Sequence, residues 1–169
     1  MVVIHSITNR SIIIKGEEGH PHEVCGYLIG KHKKGRKNSG MDDIFIITDF
    51  MVCENINSDR PDIRFEISPK DHMAATKQAE KQKLDVVGVY HSHPNHKAYA
   101  SPTDNDYAVE RTIYLIYSIF DSKFKDLKAY ILNQVTNKLE STKVSRTVKS
   151  RRLKLKKNTG RKIVDKKIL

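Results

Sequence analysis

The distribution of apolar and polar positions predicts a chain that alternates between short buried strands and helices. Continuous or alternating apolar runs are typical of strands, and they lie at residues 25–29, 44–47, 50–52, 65–67, 86–90, 112–120 and 127–132. Mixed polarity predicts a short helix over residues 7–18, and helix-start residues predict two more, over residues 68–83 and after Ser101. This order predicts the α/β class, with a mixed β-sheet between helices.

The long central helix has a clear start signal. Ser68 is followed by a proline, and serine at the N-cap with proline at the first helical position favours a helix start. Helical spacing along residues 68–83 then directs Met73, Ala75 and Ala79 toward the core.

Two polar stretches predict loops between these elements. Residues 30–40 carry five basic side chains, and residues 54–62 are mostly polar. Runs of charge usually form solvated faces. We therefore interpret residues 30–40 as a hydrophilic hairpin loop rather than as a specific binding segment.

The charge of the chain is concentrated at one end. The 169 residues carry a net charge of +11, and residues 143–169 hold twelve Lys or Arg with Asp165 as their one acidic residue, so the remainder is neutral. This shift predicts a domain over residues 1–140 and a basic extension over residues 141–169 that is a hairpin or disordered. Alternation at Arg152–Lys156 is typical of an edge strand.

The basic extension indicates two classes of partner. Basic tails bind phosphate backbones with strong salt dependence, so nucleic acid is one candidate and an acidic protein is the other. The extension contains no aromatic residue, so base stacking is not expected.

The two cysteines and the hydropathy of the chain indicate the cellular compartment. Cys25 and Cys53 both lie in apolar segments, which fits buried free thiols of a reducing compartment better than a disulfide framework. The sequence shows no leader-like start and no apolar run near 18 residues. These features predict a soluble cytoplasmic protein without a membrane partner.

Two histidines mark the candidate chemistry. His91 and His93 follow the apolar run at residues 86–90, and Pro94 comes directly after them. If the strand continues through His93, alternation directs both imidazoles to one face. Two neutral imidazoles and the carboxylate of Asp104 form a three-ligand set suited to zinc. Taken alone, His-x-His often marks two surface histidines.

The carboxylate is predicted at the start of a helix. Ser101 suits the N-cap, Pro102 suits the first helical position, and Asp104 falls at the third. By itself this pattern is mostly a capping signature. The combination with a strand that delivers two histidines is what points to a metal site.

These residues together resemble a known pattern. Glu23 before Cys25–Gly30, then His91–Pro94, and after six residues Ser101 and Asp104 match the JAMM (MPN-plus) metallopeptidase motif at every position. Residues 64–69 also resemble the family's approach to its central helix. The similarity covers roughly residues 7 to 133. The chain has little room for a long insertion after Asp104, and in this it resembles the compact prokaryotic form of the family.

The resemblance implies a site and a fold. Its pattern assigns one zinc ion per chain to His91, His93 and Asp104, a general acid/base role to Glu23, and an oxyanion-donor role to Ser101, which capping alone would also explain. The ligand set does not strictly exclude iron or manganese. The implied fold is similar to the cytidine-deaminase architecture.

The resemblance also implies a reaction. Members of the family hydrolyse an amide bond after the C-terminal Gly-Gly of a ubiquitin-like or sulfur-carrier protein, which would be the substrate partner. Two alternatives stay open: a non-catalytic MPN scaffold, and a nucleic-acid-associated protein that acts through its basic tail.

Overall fold

The computed structural model describes residues 1–35 and 43–147, which form one eight-stranded sheet and three helices. The strands are β1 Val2–His5, β2 Cys25–Lys33, β3 Ile44–Cys53, β4 Asp85–Pro94, β5 Ile113–Phe120, β6 Lys123–Asn133, β7 Lys138–Thr142 and β8 Val144–Thr147. The helices are α1 Ser6–Gly19, α2 Pro69–Lys81 and α3 Pro102–Asp106. The predicted α/β class with a mixed sheet is confirmed.

The sheet is strongly curled. Its strand order is β7-β6-β5-β4-β2-β3-β1-β8, with parallel β4–β5, β1–β3 and β1–β8 pairs and antiparallel pairs elsewhere. Strands β7 and β8 lie at opposite ends of this order, yet Lys143 alone separates them along the chain. The two ends of the sheet must therefore approach each other at Lys143.

Helix α1 fills the concave side of the curl. Its Ile12 is buried in one cluster with Leu28, Tyr90 and Tyr117 from three strands. Gly16 lies where a side chain would press on Ile119, so the helix can approach the sheet closely. This packing accounts for most of the hydrophobic core.

Helix α2 packs on the other face, against β2 and β4. Ser68 caps it by accepting a hydrogen bond from the Asp71 amide, and Ala75 and Ala79 are buried as predicted. The prediction for Met73 was wrong, since 59% of it is exposed. It precedes Ala75 by two residues, or about 200° around the helix, and so faces away from the sheet.

Several boundaries differ from those predicted. Residues 65–67 do not form a strand, because the backbone there bonds to the preceding loop, as when Ile56 N–H donates to the Glu66 carbonyl. Strand β3 runs unbroken through Asp49, which pairs with Ile29, and the register shift between Ile29 and Gly30 leaves Thr48 as the unpaired extra residue. Strand β2 continues beyond Gly30 to Lys33, which shortens the predicted loop.

The ends of the described chain belong to the sheet. Strands β1, β7 and β8 were not predicted from the sequence, and β8 pairs with β1. The division of the chain at residue 140 stays a prediction. Residues 36–42 of the basic loop and residues 148–169, with the strand predicted at Arg152–Lys156, lie outside the described residues.

Two further expectations concern the cysteines and the membrane. Cys25 and Cys53 are both free and buried, as predicted. Across residues 1–35 and 43–147, every helix is too short or too polar to span a bilayer.

Candidate metal centre

The central strand positions the two histidines. Strand β4 is hydrogen-bonded to β2 on one side and to β5 on the other, and it continues through His93 to Pro94 as predicted. Both imidazoles point to the face that carries α2, with 3.0 Å between the two Nε2 atoms. His91 is 1% exposed and His93 is 9% exposed, so the core of the sheet holds them.

Asp104 reaches the histidines from the start of α3. Ser101 and Asp104 form a capping box, in which the Ser101 hydroxyl accepts from the Asp104 amide at 3.1 Å and donates to Asp104 Oδ2 at 2.6 Å. The Ser101 amide also donates to Oδ2 at 2.7 Å. The other oxygen, Oδ1, lies 3.2 Å from His91 Nε2.

The three side chains form a set that could hold a metal ion. One ligand atom from each of His91, His93 and Asp104 lies within 4.8 Å of the others. Donors at 2.0–2.1 Å from a tetrahedral zinc ion lie about 3.3 Å apart. Here His91 Nε2 lies 3.0 Å from His93 Nε2 and 3.2 Å from Asp104 Oδ1, and His93 Nε2 lies 3.8 Å from Asp104 Oδ2. Two imidazoles and one carboxylate thus fit zinc in both chemistry and spacing.

A backbone carbonyl fixes the tautomer of His93. Its Nδ1 lies 3.0 Å from the Lys97 carbonyl, so Nδ1 carries the proton and Nε2 keeps its lone pair for a metal. The loop that supplies this carbonyl is held from the sheet, because the Ser118 hydroxyl donates to the His96 carbonyl and the Tyr130 hydroxyl donates to the Ala98 carbonyl.

The other histidine is held by packing. The ring of Phe65 stacks on His91, with centroids 4.6 Å apart. His91 Nδ1 is buried and finds no hydrogen-bond partner among the described residues. Stacking and the contacts of Nε2 are therefore what orient this ring.

Glu23 lies beside the candidate metal ligands although it is far from them in sequence. Its Oε1 is 4.0 Å from His93 Nε2, and the residue is 5% exposed. Ser92 ties this segment to the ligand strand, since its hydroxyl accepts from the Val24 amide and its own amide donates to the Val24 carbonyl. The structure therefore brings Glu23, Ser101 and the three ligand residues into one site.

The charges in the site favour one cation between the imidazoles and Asp104. Burial acts to raise the pKa of Asp104, but hydrogen bonds from His91 and Ser101 outweigh it and the pKa is lowered. Burial acts to lower the pKa of His91, but the bond to Asp104 and its charge raise it. Burial and the charge of His91 lower the pKa of His93 to about 4, which keeps that imidazole neutral.

Burial shifts the pKa of Glu23 toward neutral pH. Burial raises its pKa to about 7, against the opposing effect of His91. By contrast, burial raises the pKa of Cys25 to about 12, so this nearby thiol stays protonated and is a poor metal ligand. The exposed side chain of His96 is not part of the ligand group either.

The site opens into a groove of about 1630 Å³. Its floor is formed by strand residues such as Val89 and Tyr114, between the α2 side with Phe65 and the α3 side with Tyr107 and Val109. Tyr107 is 78% exposed and Val109 is 60% exposed.

Sequence reasoning found the residues of the motif but missed their supports. Ser92 could have been found, since a small hydroxyl residue between two inward-facing histidines must point to the opposite face, toward β2 and α1. Phe65 was assigned to a strand, and the Lys97 carbonyl carries no sequence signal, because every residue has one.

Comparisons with known proteins are consistent with this site. The family described as prokaryotic homologs of the JAB domain matches residues 5–133. The chain is 27% identical over 132 residues to the desampylase of Pyrococcus furiosus, covering 78% of this chain and 81% of that protein. It is 30% identical over 102 residues to the desampylase of Haloferax volcanii, covering 58% of this chain and 66% of that protein.

Solved structures share the fold. The solution structure of a protein from Desulfitobacterium hafniense matches with a TM-score of 0.72 at 21% identity, covering 88% of this chain and 94% of the other. A protein from Salinibacter ruber matches with a TM-score of 0.63 at 29% identity, covering 89% and 94%. Because the family match over residues 5–133 spans most of the 169 residues and includes all five motif residues, the chain belongs to the prokaryotic JAB-domain family of JAMM/MPN proteins.

Proposed function

We propose that this protein is a zinc-dependent peptidase or isopeptidase. Its substrate would be an amide bond after the C-terminal Gly-Gly of a ubiquitin-like or sulfur-carrier protein. The observation that carries the proposal is the convergence of Glu23 with a complete His91, His93 and Asp104 ligand group. A non-catalytic scaffold would need none of these buried polar side chains in one place.

The substrate class rests on the relatives and on the groove. Two relatives bear the name desampylase, which favours a small ubiquitin-like modifier as substrate. Strand β4 is paired on both sides, so a tail cannot add to it and must lie across the groove. A Gly-Gly tail suits this route, because it lacks side chains that would meet Phe65 or the ligands.

Each residue has a definite role in the proposed reaction. A bound zinc ion would supply Lewis-acid polarisation and lower the pKa of its water to about 7. His91, His93 and Asp104 would hold that ion. Glu23, with a pKa of about 7, would take a proton from the nucleophile and deliver it to the leaving amine.

Ser101 would donate a hydrogen bond to the oxygen of the scissile carbonyl. Its hydroxyl proton now goes to Asp104 Oδ2, so a substrate oxygen would replace that carboxylate as the acceptor. The Ser101 amide already bonds Oδ2 and would hold the carboxylate during the exchange.

The test combines metal content with activity. We expect purified protein to carry about one zinc ion per chain, as a catalytic three-ligand site does, and the His91→Ala, His93→Ala double variant to carry none. The zinc-loaded protein should cleave a ubiquitin-like protein joined through Gly-Gly to an amine, whereas Glu23→Gln should keep the zinc and retain only a low residual turnover.

His96→Ala is the matched control for metal content. It removes a nearby histidine whose side chain is exposed and outside the ligand group, so zinc should remain. Wild-type protein that takes up no zinc after reconstitution would rule out the proposal. The basic tail and its acidic or nucleic-acid partner stay a prediction, to be tested by deleting residues 148–169 and titrating binding with salt.

A further inference from the structure

Asn55 occupies an unusual position behind Glu23. It follows strand β3, and its side chain makes four hydrogen bonds to the main chain. Its Nδ2 donates to the Glu23 carbonyl at 3.3 Å and to the Arg64 carbonyl at 2.9 Å. Its Oδ1 accepts from the amides of Asn57 and Glu66, both at 3.1 Å. Both donors and both acceptor positions of the amide are used.

The segments that Asn55 joins both border the metal centre. One is the main chain at Glu23. The other is the stretch from Arg64 to Glu66, whose Phe65 stacks on His91. A single side chain thus links the acid/base to the wall that packs against a metal ligand.

Glu23 depends on such links because it lies outside the sheet ladder. Strand β2 begins at Cys25, so no strand partner fixes the main chain of Glu23. Its amide donates to the Pro61 carbonyl at 2.7 Å, and its carbonyl accepts from Asn55. Both main-chain groups of Glu23 are therefore held by the loop that connects β3 to α2.

Position matters for a group that moves protons. A displacement of about 1 Å in a catalytic group can lower the rate about 100-fold. The Glu23 carboxylate is buried, 4.0 Å from His93 Nε2. If the backbone at Glu23 shifts, the buried carboxylate shifts with it, because β2 begins only at Cys25 and its pairing does not hold residue 23 in place.

We propose that Asn55 is a positioning residue for Glu23, which sets the place of the carboxylate without touching the substrate or the metal ligands. This inference rests on the proposed function for its kinetic consequence. The structural part of the inference, that Asn55 holds the main chain at Glu23, does not depend on the proposed function.

Two variants test the inference. Asn55→Ala removes all four bonds. Asn55→Asp keeps the acceptors for Asn57 and Glu66, so the loop retains its turn, but it loses both donors, to Glu23 and Arg64. We expect kcat to fall about 10- to 100-fold in both variants, with KM and zinc content nearly unchanged.

Asn133→Ala is the matched control. Asn133 also accepts two main-chain amides, from Val135 and Thr136, and donates to Glu140, but at the β6–β7 turn. It lies away from the groove, and its replacement should leave kcat unchanged. A fall in kcat with this variant equal to that of Asn55→Ala would overturn the inference.

A double-mutant cycle separates positioning from general loss of stability. When Glu23 is already Gln, Asn55→Asp should lower residual turnover less than about 2-fold, because residues that act as one unit are not additive. A full further loss of 10-fold or more, or a parallel loss of zinc, would show that Asn55 does not act through Glu23.

Hydrogen exchange tests the structural content without any substrate. In both Asn55 variants, amides at residues 22–24 should exchange at least about 5-fold faster than in wild type, while those at residues 89–93 in β4 should not change. Wild-type protein that holds zinc but cleaves nothing would count against the proposed function alone. Unchanged exchange at residues 22–24 would overturn the role of Asn55.

Discussion

The candidate ligands come from two kinds of structure, a central strand and a very short helix. His91 and His93 lie on β4, which is paired along both edges and buried on both faces. Asp104 lies on α3, a helix of five residues with none buried. The fold of the whole sheet fixes the imidazoles, whereas a capping box and its neighbours fix the carboxylate.

Because the two histidines and Asp104 are held by different structures, we expect the position of Asp104 to be easier to change than that of the histidines. Helix α3 is connected to the sheet through Asn105, whose Oδ1 accepts from the Leu139 amide of β7. Its remaining cap bonds are local, from Ser101 and Asp104. The sheet therefore fixes the histidines, and we expect Asp104, which contacts the sheet through His91, to be the more adjustable candidate ligand when a metal or substrate binds.

The largest expected effect comes from Asp104→Asn. The change removes the negative ligand and places an amide donor against the Ser101 donors, so zinc affinity should fall at least about 100-fold. The metal-free protein should also lose about 1–3 kcal/mol of unfolding free energy at pH 7, because the Asp104 side chain is 8% exposed and the fold stabilises its charged form. Chelator competition and urea unfolding measure the two quantities, and unchanged zinc affinity would contradict the assignment of Asp104 as a ligand.

The next effect concerns pH and Glu23. Its pKa rises from 4.5 unfolded to about 7 folded, so the folded state binds the proton more tightly. Its favourable contribution is complete below pH 4.5 and is lost as pH rises toward 7. In EDTA at pH 8, Glu23→Gln should therefore unfold with a free energy up to about 3 kcal/mol higher than wild type.

The same comparison at pH 4 is the control for this effect. Both proteins then carry a neutral side chain at residue 23, so their unfolding free energies should agree closely. A variant that is more stable by the same amount at pH 4 and pH 8 would show that ionisation of Glu23 is not the cause.

A matched pair of serine substitutions gives the smallest and most discriminating effects. Ser101→Ala removes the cap of α3 and should lower zinc affinity about 10-fold, with a loss of about 0.5–1 kcal/mol of stability. Ser118→Ala removes the buried bond to the His96 carbonyl and should cost about 1–2 kcal/mol of stability but only about 3-fold in zinc affinity. If the two serine variants lowered zinc affinity and stability equally, the distinction between the sheet-held histidines and the helix-held Asp104 would be lost.

Local sequence signals were sufficient for the elements that carry the ligands. The apolar run before His91 and the Ser-Pro start at Ser101 predicted β4 and α3, because strand alternation and capping are short-range effects. Strands β1, β7 and β8 were missed. Their pairing depends on curling of the whole sheet, which residues such as Val2 and Val144 do not encode locally.

The supports of the site were harder to predict than the ligands. The roles of Asn55 and Phe65 depend on the path of an irregular loop, and the partner of His93 is a backbone carbonyl. Polar loop residues and carbonyls have many possible partners. Only the three-dimensional path of the chain selects among them.

The pairing of the first strand with the last described one has a consequence for biosynthesis. Val2 of β1 is in register with Val144 of β8, and Val2 N–H donates to the Lys143 carbonyl. The sheet therefore cannot be completed until residue 147 has been synthesised, whereas the last motif residue, Asp104, is synthesised 43 residues earlier (147 − 104). Such distant pairing slows folding, and the nascent chain contains every candidate metal ligand before its sheet can be finished.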